Sequence, residues 1–190
     1  GYDLRDAHLS VTPDGPVSAP TLMLVGGVAP RKQDNQSAAT GTFVSFGIFS
    51  NSGTHWSKPQ IVSEPGRWLW CVTWHKGKAY GVSYAAGQGD RHLDLLVSDD
   101  GINYERHVPR LFEQGRPTET TLRFGADGTC YALVRRDRYE AEPTSAFLGI
   151  SRPDYKQWQW KDLGADFNSF GGPNFIQIPA GYGSTELTEV

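Results

Sequence analysis

Sulfur is scarce in this chain: 190 residues hold two cysteines, Cys71 and Cys130, and one methionine. Two cysteines exclude a small fold framed by disulfides, and they cannot complete a four-ligand structural zinc site by themselves. Both fall in expected strands, so two buried thiols are the plainer reading and a single inter-strand disulfide is the other. A basic excess is lacking as well. Eighteen Lys and Arg stand against 21 Asp and Glu, a net charge of −3, which argues against a nucleic-acid surface. Long hydrophobic runs are missing. The longest, Thr42 to Phe49, has the length of a strand and is far below the roughly 20 residues of a membrane-spanning helix. Helical patterning is hardly present. Its best stretch, Arg135 to Ala146, contains Pro143, and a loop is expected there. No signal peptide is visible before Gly1, and a processed or trimmed chain is expected. No cofactor or metal is implied.

What is present is turn and aromatic material: 22 Gly, 12 Pro, six Trp, eight Tyr and nine Phe. This suits short strands joined by tight turns in an all-β repeat. A strand, a glycine turn and a second strand recur along the chain. Leu9 to Gly15 precedes Thr21 to Val25, Val72 to Gly77 precedes Lys78 to Tyr84, and Leu122 to Gly128 precedes Thr129 to Arg135. Phe175 to Gly181 opens a fourth copy. The turn glycines at 15, 77, 128 and 181 sit where the backbone needs positive φ, which glycine adopts without steric cost. A second repeat lies between these turns: Phe49-Ser-Asn-Ser-Gly-Thr-His-Trp56, Val97-Ser-Asp-Asp-Gly-Ile-Asn-Tyr104 and, more weakly, Ser151-Arg-Pro-Asp-Tyr-Lys-Gln-Trp158.

These segments resemble degenerate Asp-boxes, the Ser-x-Asp-x-Gly-x-Thr-Trp turns of sialidase-like proteins. In that resemblance Asn51 and Asp99 take the Asp position, Gly53 and Gly101 the Gly position, and Trp56, Tyr104 and Trp158 the Trp position. Pro153 replaces the acid of the third copy. An Asx side chain at such a turn bonds the backbone of its own turn, so Asp99 is structural. The resemblance implies a sialidase-type β-propeller of four-stranded blades, six in a full domain. Its approximate blades here are 1–62, 63–112 and 113–165, with the start of a fourth at 166–190. A partial propeller implies either a longer parent chain, which the unfinished fourth unit favours, or self-association to complete the ring.

The same resemblance supplies candidate site residues. A guanidinium can hold both oxygens of a carboxylate, as an acidic sugar requires. Arg5, before the first turn glycine, matches the family's first such arginine, although Arg5-Asp6-Ala7 replaces the usual Arg-Ile-Pro. Glu119 and Arg135 match the two ends of a hairpin turning at Asp127-Gly128. The two ends of an antiparallel pair return side by side, so the two side chains are expected at one rim. In the family that glutamate activates a tyrosine nucleophile. The general acid is an aspartate in the loop 29–41, where Asp34 is the one acid. Arg67 stands before the second blade, at the rim expected for Arg5. Trp68, Trp70 and Trp74 are at even spacing, which places all three on one strand face. Trp70 is the candidate to stack a sugar, with packing between blades as its competing use. The third arginine and the tyrosine are expected in later blades, and Tyr182, in a turn, is not given that role.

The expected function is therefore a sialidase-like exo-glycoside hydrolase acting on a terminal acidic sugar of glycans. The alternative is a non-catalytic propeller binding glycans or a protein partner. An extracellular or periplasmic location follows from the family's usual substrates.

Overall fold

In the computed structural model of the chain, residues 2–12, 21–30, 42–87, 90–138, 144–176 and 178 are described. The turn glycines Gly15 and Gly181, Asp34 and Tyr182 lie outside them. The described residues are all-β, save for a three-residue 3-10 turn at Ala165–Phe167. The strands are β1 (Tyr2–Thr12), β2 (Thr21–Pro30), β3 (Val44–Ser50), β4 (Gln60–Ile61), β5 (Arg67–His75), β6 (Lys78–Ala85), β7 (Leu93–Ser98), β8 (Glu105–Phe112), β9 (Pro117–Phe124), β10 (Cys130–Arg136), β11 (Phe147–Ser151) and β12 (Trp158–Asp162). They form three open antiparallel sheets of four strands, each paired in chain order. Every strand thus meets its sequence neighbour, the pairing that short connections favour.

Turn chemistry places the hairpins. Between β5 and β6, His75 pairs with Lys78, and the two intervening residues, Lys76 and Gly77, have φ of 49° and 76°. A two-residue loop with both central φ positive matches the right-handed twist of the strands it joins. Between β9 and β10, Asp127 closes the turn by accepting bonds from the Thr129 N–H (3.0 Å) and hydroxyl (2.8 Å).

The Asp-box-like segments join the third and fourth strands of each sheet, at the same end as these hairpin turns. The turn-closing side chain is one residue later than the resemblance implied. Asp100, not Asp99, accepts the N–H groups of Ile102 and Asn103, both at 2.8 Å, while Asp99 pairs outward with Lys78. In the first copy Ser52 takes that place, accepting from the N–H groups of Thr54 (3.2 Å) and His55 (3.3 Å). Asn51 instead accepts a bond from the Thr21 hydroxyl at 3.1 Å. In the third copy Tyr155 occupies the glycine place at φ 53°. Its buried hydroxyl donates to the Gly128 carbonyl at 3.1 Å, which ties the turn to the neighbouring hairpin.

The sheets pack face to face, with the middle one shared. Met23 and Val25 of β2 meet Leu69 and Val72 of β5 in one seam. Val82, Leu93, Leu95 and Phe112 of the second sheet meet Leu122, Ala132, Val134 and Phe147 of the third in another. Strand β5 touches both β1 and β9, so the first strands of the three sheets run side by side.

Each of these first strands carries a bulge at the end away from the hairpin turns. In β1, Asp6 and Ala7 oppose the single Gly26, because Arg5 pairs with Gly27 and His8 with Val25. In β5, Trp70 and Cys71 oppose Val82. In β9, Thr118 and Glu119 oppose Arg135. A bulge slips the alternation by one residue and re-aims the side chains beyond it. For that reason the three tryptophans of β5 do not share a face. Trp68 and Trp70 pack with Ala29 and Cys71, whereas Trp74, beyond the bulge, packs on the Met23–Leu69–Val72 seam. Both cysteines are free and buried.

Candidate active site

The bulged ends of the three sheets converge on one cleft of about 190 Å³. Its wall includes Arg5 and Asp6 of β1, Trp68 of β5, Tyr84 of β6, and Arg116 and Asp137 from either side of the β9–β10 hairpin. Glu119 and Arg135 stand beside it. They form an ion pair across that hairpin through Glu119 Oε1 and an Arg135 terminal nitrogen. The other carboxylate oxygen of Glu119 accepts the Gly172 N–H at 2.7 Å, which brings the segment after β12 back over the site. Arg135 Nε lies 3.0 Å from Asp137 Oδ1 without the alignment of a hydrogen bond.

The other expected residues are placed as follows. Arg5 is 60% exposed and held by Asp3, with contacts of 2.6 and 2.8 Å. It lies on the cleft wall. Arg67, though at the same end of its sheet, faces the other way. Its guanidinium donates to the Ser83 carbonyl and to Asp94 Oδ2, both at 2.8 Å. It lines a separate groove with Glu64 and Arg106, so the structure does not join it to Arg5. Trp70 is 5% exposed and packs against the His8 ring at a centroid distance of 4.6 Å. Its ring faces are spent on packing and offer no platform for a sugar. Arg136, next to Arg135, is buried on the opposite face, donating to the Ser145 carbonyl at 2.7 Å and lying over Phe147.

Four site residues were not singled out from the sequence: Asp6, Tyr84, Arg116 and Asp137. Burial, then the negative charge of Glu119, raise the Asp6 carboxyl above the ordinary range. Burial raises the Tyr84 phenol strongly, and the carboxylates Glu119, Asp6 and Asp137 add to this. Burial lowers the nearby His8 imidazole, and Asp6 and Glu119 oppose that effect. Carboxyls crowded at one site disfavour one another's ionisation, and the upward shift of Asp6 beside Glu119 is in that direction. The signal for Asp6 was visible as Arg5-Asp6-Ala7, the departure from the family's pattern. Nothing local marked Tyr84. Among the described residues no group of three His, Cys, Asp or Glu is disposed to hold a metal ion, and no helix is long and apolar enough to cross a membrane.

Neither the protein-family models nor the curated proteins compared with this chain contain a match to it.

Proposed function

We propose that the chain is part of a sialidase-type β-propeller whose bulged rim forms a glycoside hydrolase site for a terminal acidic sugar. The observation that carries this reading is the Glu119–Arg135 pair beside a cleft to which the first sheet contributes Arg5 and Asp6. Two supports accompany it. The three four-stranded meanders lie with their first strands side by side, as blades around an axis do. The Asp-box-like turns sit at the end opposite the cleft. In this reading Arg5, Arg116 and Arg135 supply positive charge for a sugar carboxylate, and Glu119 serves as the ionised partner of a proton-transfer step. A ring of this kind requires further blades, and light scattering reveals whether a second copy supplies them. With such a substrate goes the proposal of an extracellular or periplasmic location.

The test is hydrolysis of fluorogenic glycosides of sialic and uronic acids. The expected result is turnover by the wild type, and a loss of about 10²-fold or more in kcat/KM for Glu119→Gln. Asp99→Asn, at the far end, should leave the rate unchanged. A wild type without turnover on any acidic glycoside, or a fully active Glu119→Gln variant, overturns the reading. The second reading, a non-catalytic module that binds glycans or a protein, is favoured by one observation: both carboxylate oxygens of Glu119 are already engaged. Glycan binding without turnover would establish it.

A further inference from the structure

A glycosidic oxygen must gain a proton as it leaves, and the group that supplies it must face the scissile bond. Of the two acids that line the cleft, Asp137 lies beside Arg135 Nε and Asp6 stands at the bulge of β1. It is the first of the two β1 residues opposed to Gly26, and its φ of 55° is left-handed, a conformation that few residues other than glycine adopt and that Asp tolerates better than most. The bulge takes its side chain out of the strand's alternation and sets it in the wall with Trp68, Tyr84 and Arg116. The charged groups around it come from every neighbouring element: Arg5 and His8 from β1, Glu119 from β9 and Arg135 from β10, with Tyr84 of β6 and Arg116 and Asp137 around the same cleft.

Building on the hydrolase reading, we propose that Asp6 is the general acid of this cleft, delivering its carboxyl proton to the leaving oxygen of a bound glycoside. The step balances as follows. The bond between the anomeric carbon and the glycosidic oxygen breaks, and its electron pair stays on that oxygen. The Asp6 proton bonds to the same oxygen, releasing an alcohol. Water then completes the anomeric carbon and returns a proton to Asp6. Partial desolvation, with Glu119 nearby, shifts the Asp6 carboxyl upward although its side chain is exposed at the cleft, the direction a general acid requires. His8, Arg5 and Arg135 oppose this by favouring the ionised form.

The experiment compares the wild type with Asp6→Asn on two glycosides of the same acidic sugar, one with a 4-nitrophenol leaving group and one with an alkyl alcohol. An alkoxide needs the proton far more than a nitrophenolate does. Asp6→Asn should therefore lose about 10²- to 10⁴-fold on the alkyl glycoside but stay within about tenfold on the aryl one. The alkaline limb of the kcat/KM profile should vanish. Equal losses on both substrates, or an unchanged alkaline limb, overturn the proposal and leave the hydrolase reading standing. A wild type inert on both overturns the two together. Should Asp6→Asn not fold, carbon NMR titration of the wild-type carboxyl decides. A midpoint above the ordinary aspartate value of about 3.9, moving down in Glu119→Gln, supports the acid. A midpoint at or below that value refutes it.

Discussion

At the scale of single residues, the decisive feature is that chemically similar side chains are set apart by their surroundings. Asp99 and Asp100 are adjacent, yet Asp99 reaches out to Lys78 while Asp100 closes its own turn. Desolvation pushes the Asp100 carboxyl up, but the N–H groups of Asn103 and Ile102 and the side chains of Asn103 and Ser98 outweigh it and hold its pKa at about 2. The folded value lies below the ordinary 3.8, so the stabilisation is complete above that pH and lost as pH falls through 2. Asp100→Ala is therefore expected to lower the unfolding free energy by about 1–2 kcal/mol at neutral pH, the worth of charged hydrogen bonds. The gap from the wild type should close between about pH 4 and pH 2. Urea titrations across that range check it, and a gap independent of pH would refute it. The same contrast separates Arg135, poised at the cleft, from Arg136, whose guanidinium is consumed by Ser145 and Phe147.

At the scale of elements, glycine in a strand marks where a large ring must approach. Gly27 in β2 faces Trp68 of the next sheet, and a Cβ built there would lie 1.8 Å from the indole Cζ2. The ring is buried, with the cleft as its open side. Gly27→Ala should destabilise the protein by about 1–3 kcal/mol through overpacking. It should also disturb the cleft wall that Trp68 forms. Thermal unfolding measures the first effect, and an unchanged Tm would show that the first two sheets are less closely packed than described. The bulges belong to this scale too. Each of the three first strands spends one extra residue at the same end, and Asp6, Trp70 and Glu119 all lie within those bulges. Two of the three face the candidate site, while Trp70 is drawn into packing with His8.

At the scale of the whole molecule, the middle sheet couples the other two. Asp94 on β7, 2% exposed, anchors it by accepting Arg67 at 2.8 Å and the Arg110 N–H at 2.9 Å. Asp94→Asn leaves the buried Arg67 guanidinium without its counter-charge, a change that typically costs about 3–5 kcal/mol. Because both seams draw on this sheet, calorimetry should show the loss as a lower Tm in a single transition. Two resolved transitions would mean that the sheets unfold independently. Among the described residues, Leu4, Leu9 and Val11 of β1 are exposed apolar side chains.

The strands and their turns were determined by the sequence itself, because they rest on local chemistry. Alternating apolar residues mark the strands, and Gly77 supplies a positive φ that the two-residue turn needs. The facing of Glu119 and Arg135 was legible for the same reason, since a hairpin fixes which residues meet across it. The bulges were not. A one-residue slip is selected by packing between sheets rather than by the strand's own pattern, and it parted Trp74 from Trp68 and Trp70. The site's remaining members follow from that packing. Tyr84 meets Glu119 only because β6 lies against β9, and Asp6 turns to the cleft only because β1 bulges opposite Gly26. Residues distant in sequence became one electrostatic cluster when the sheets stacked, and only the tertiary structure decides such proximity.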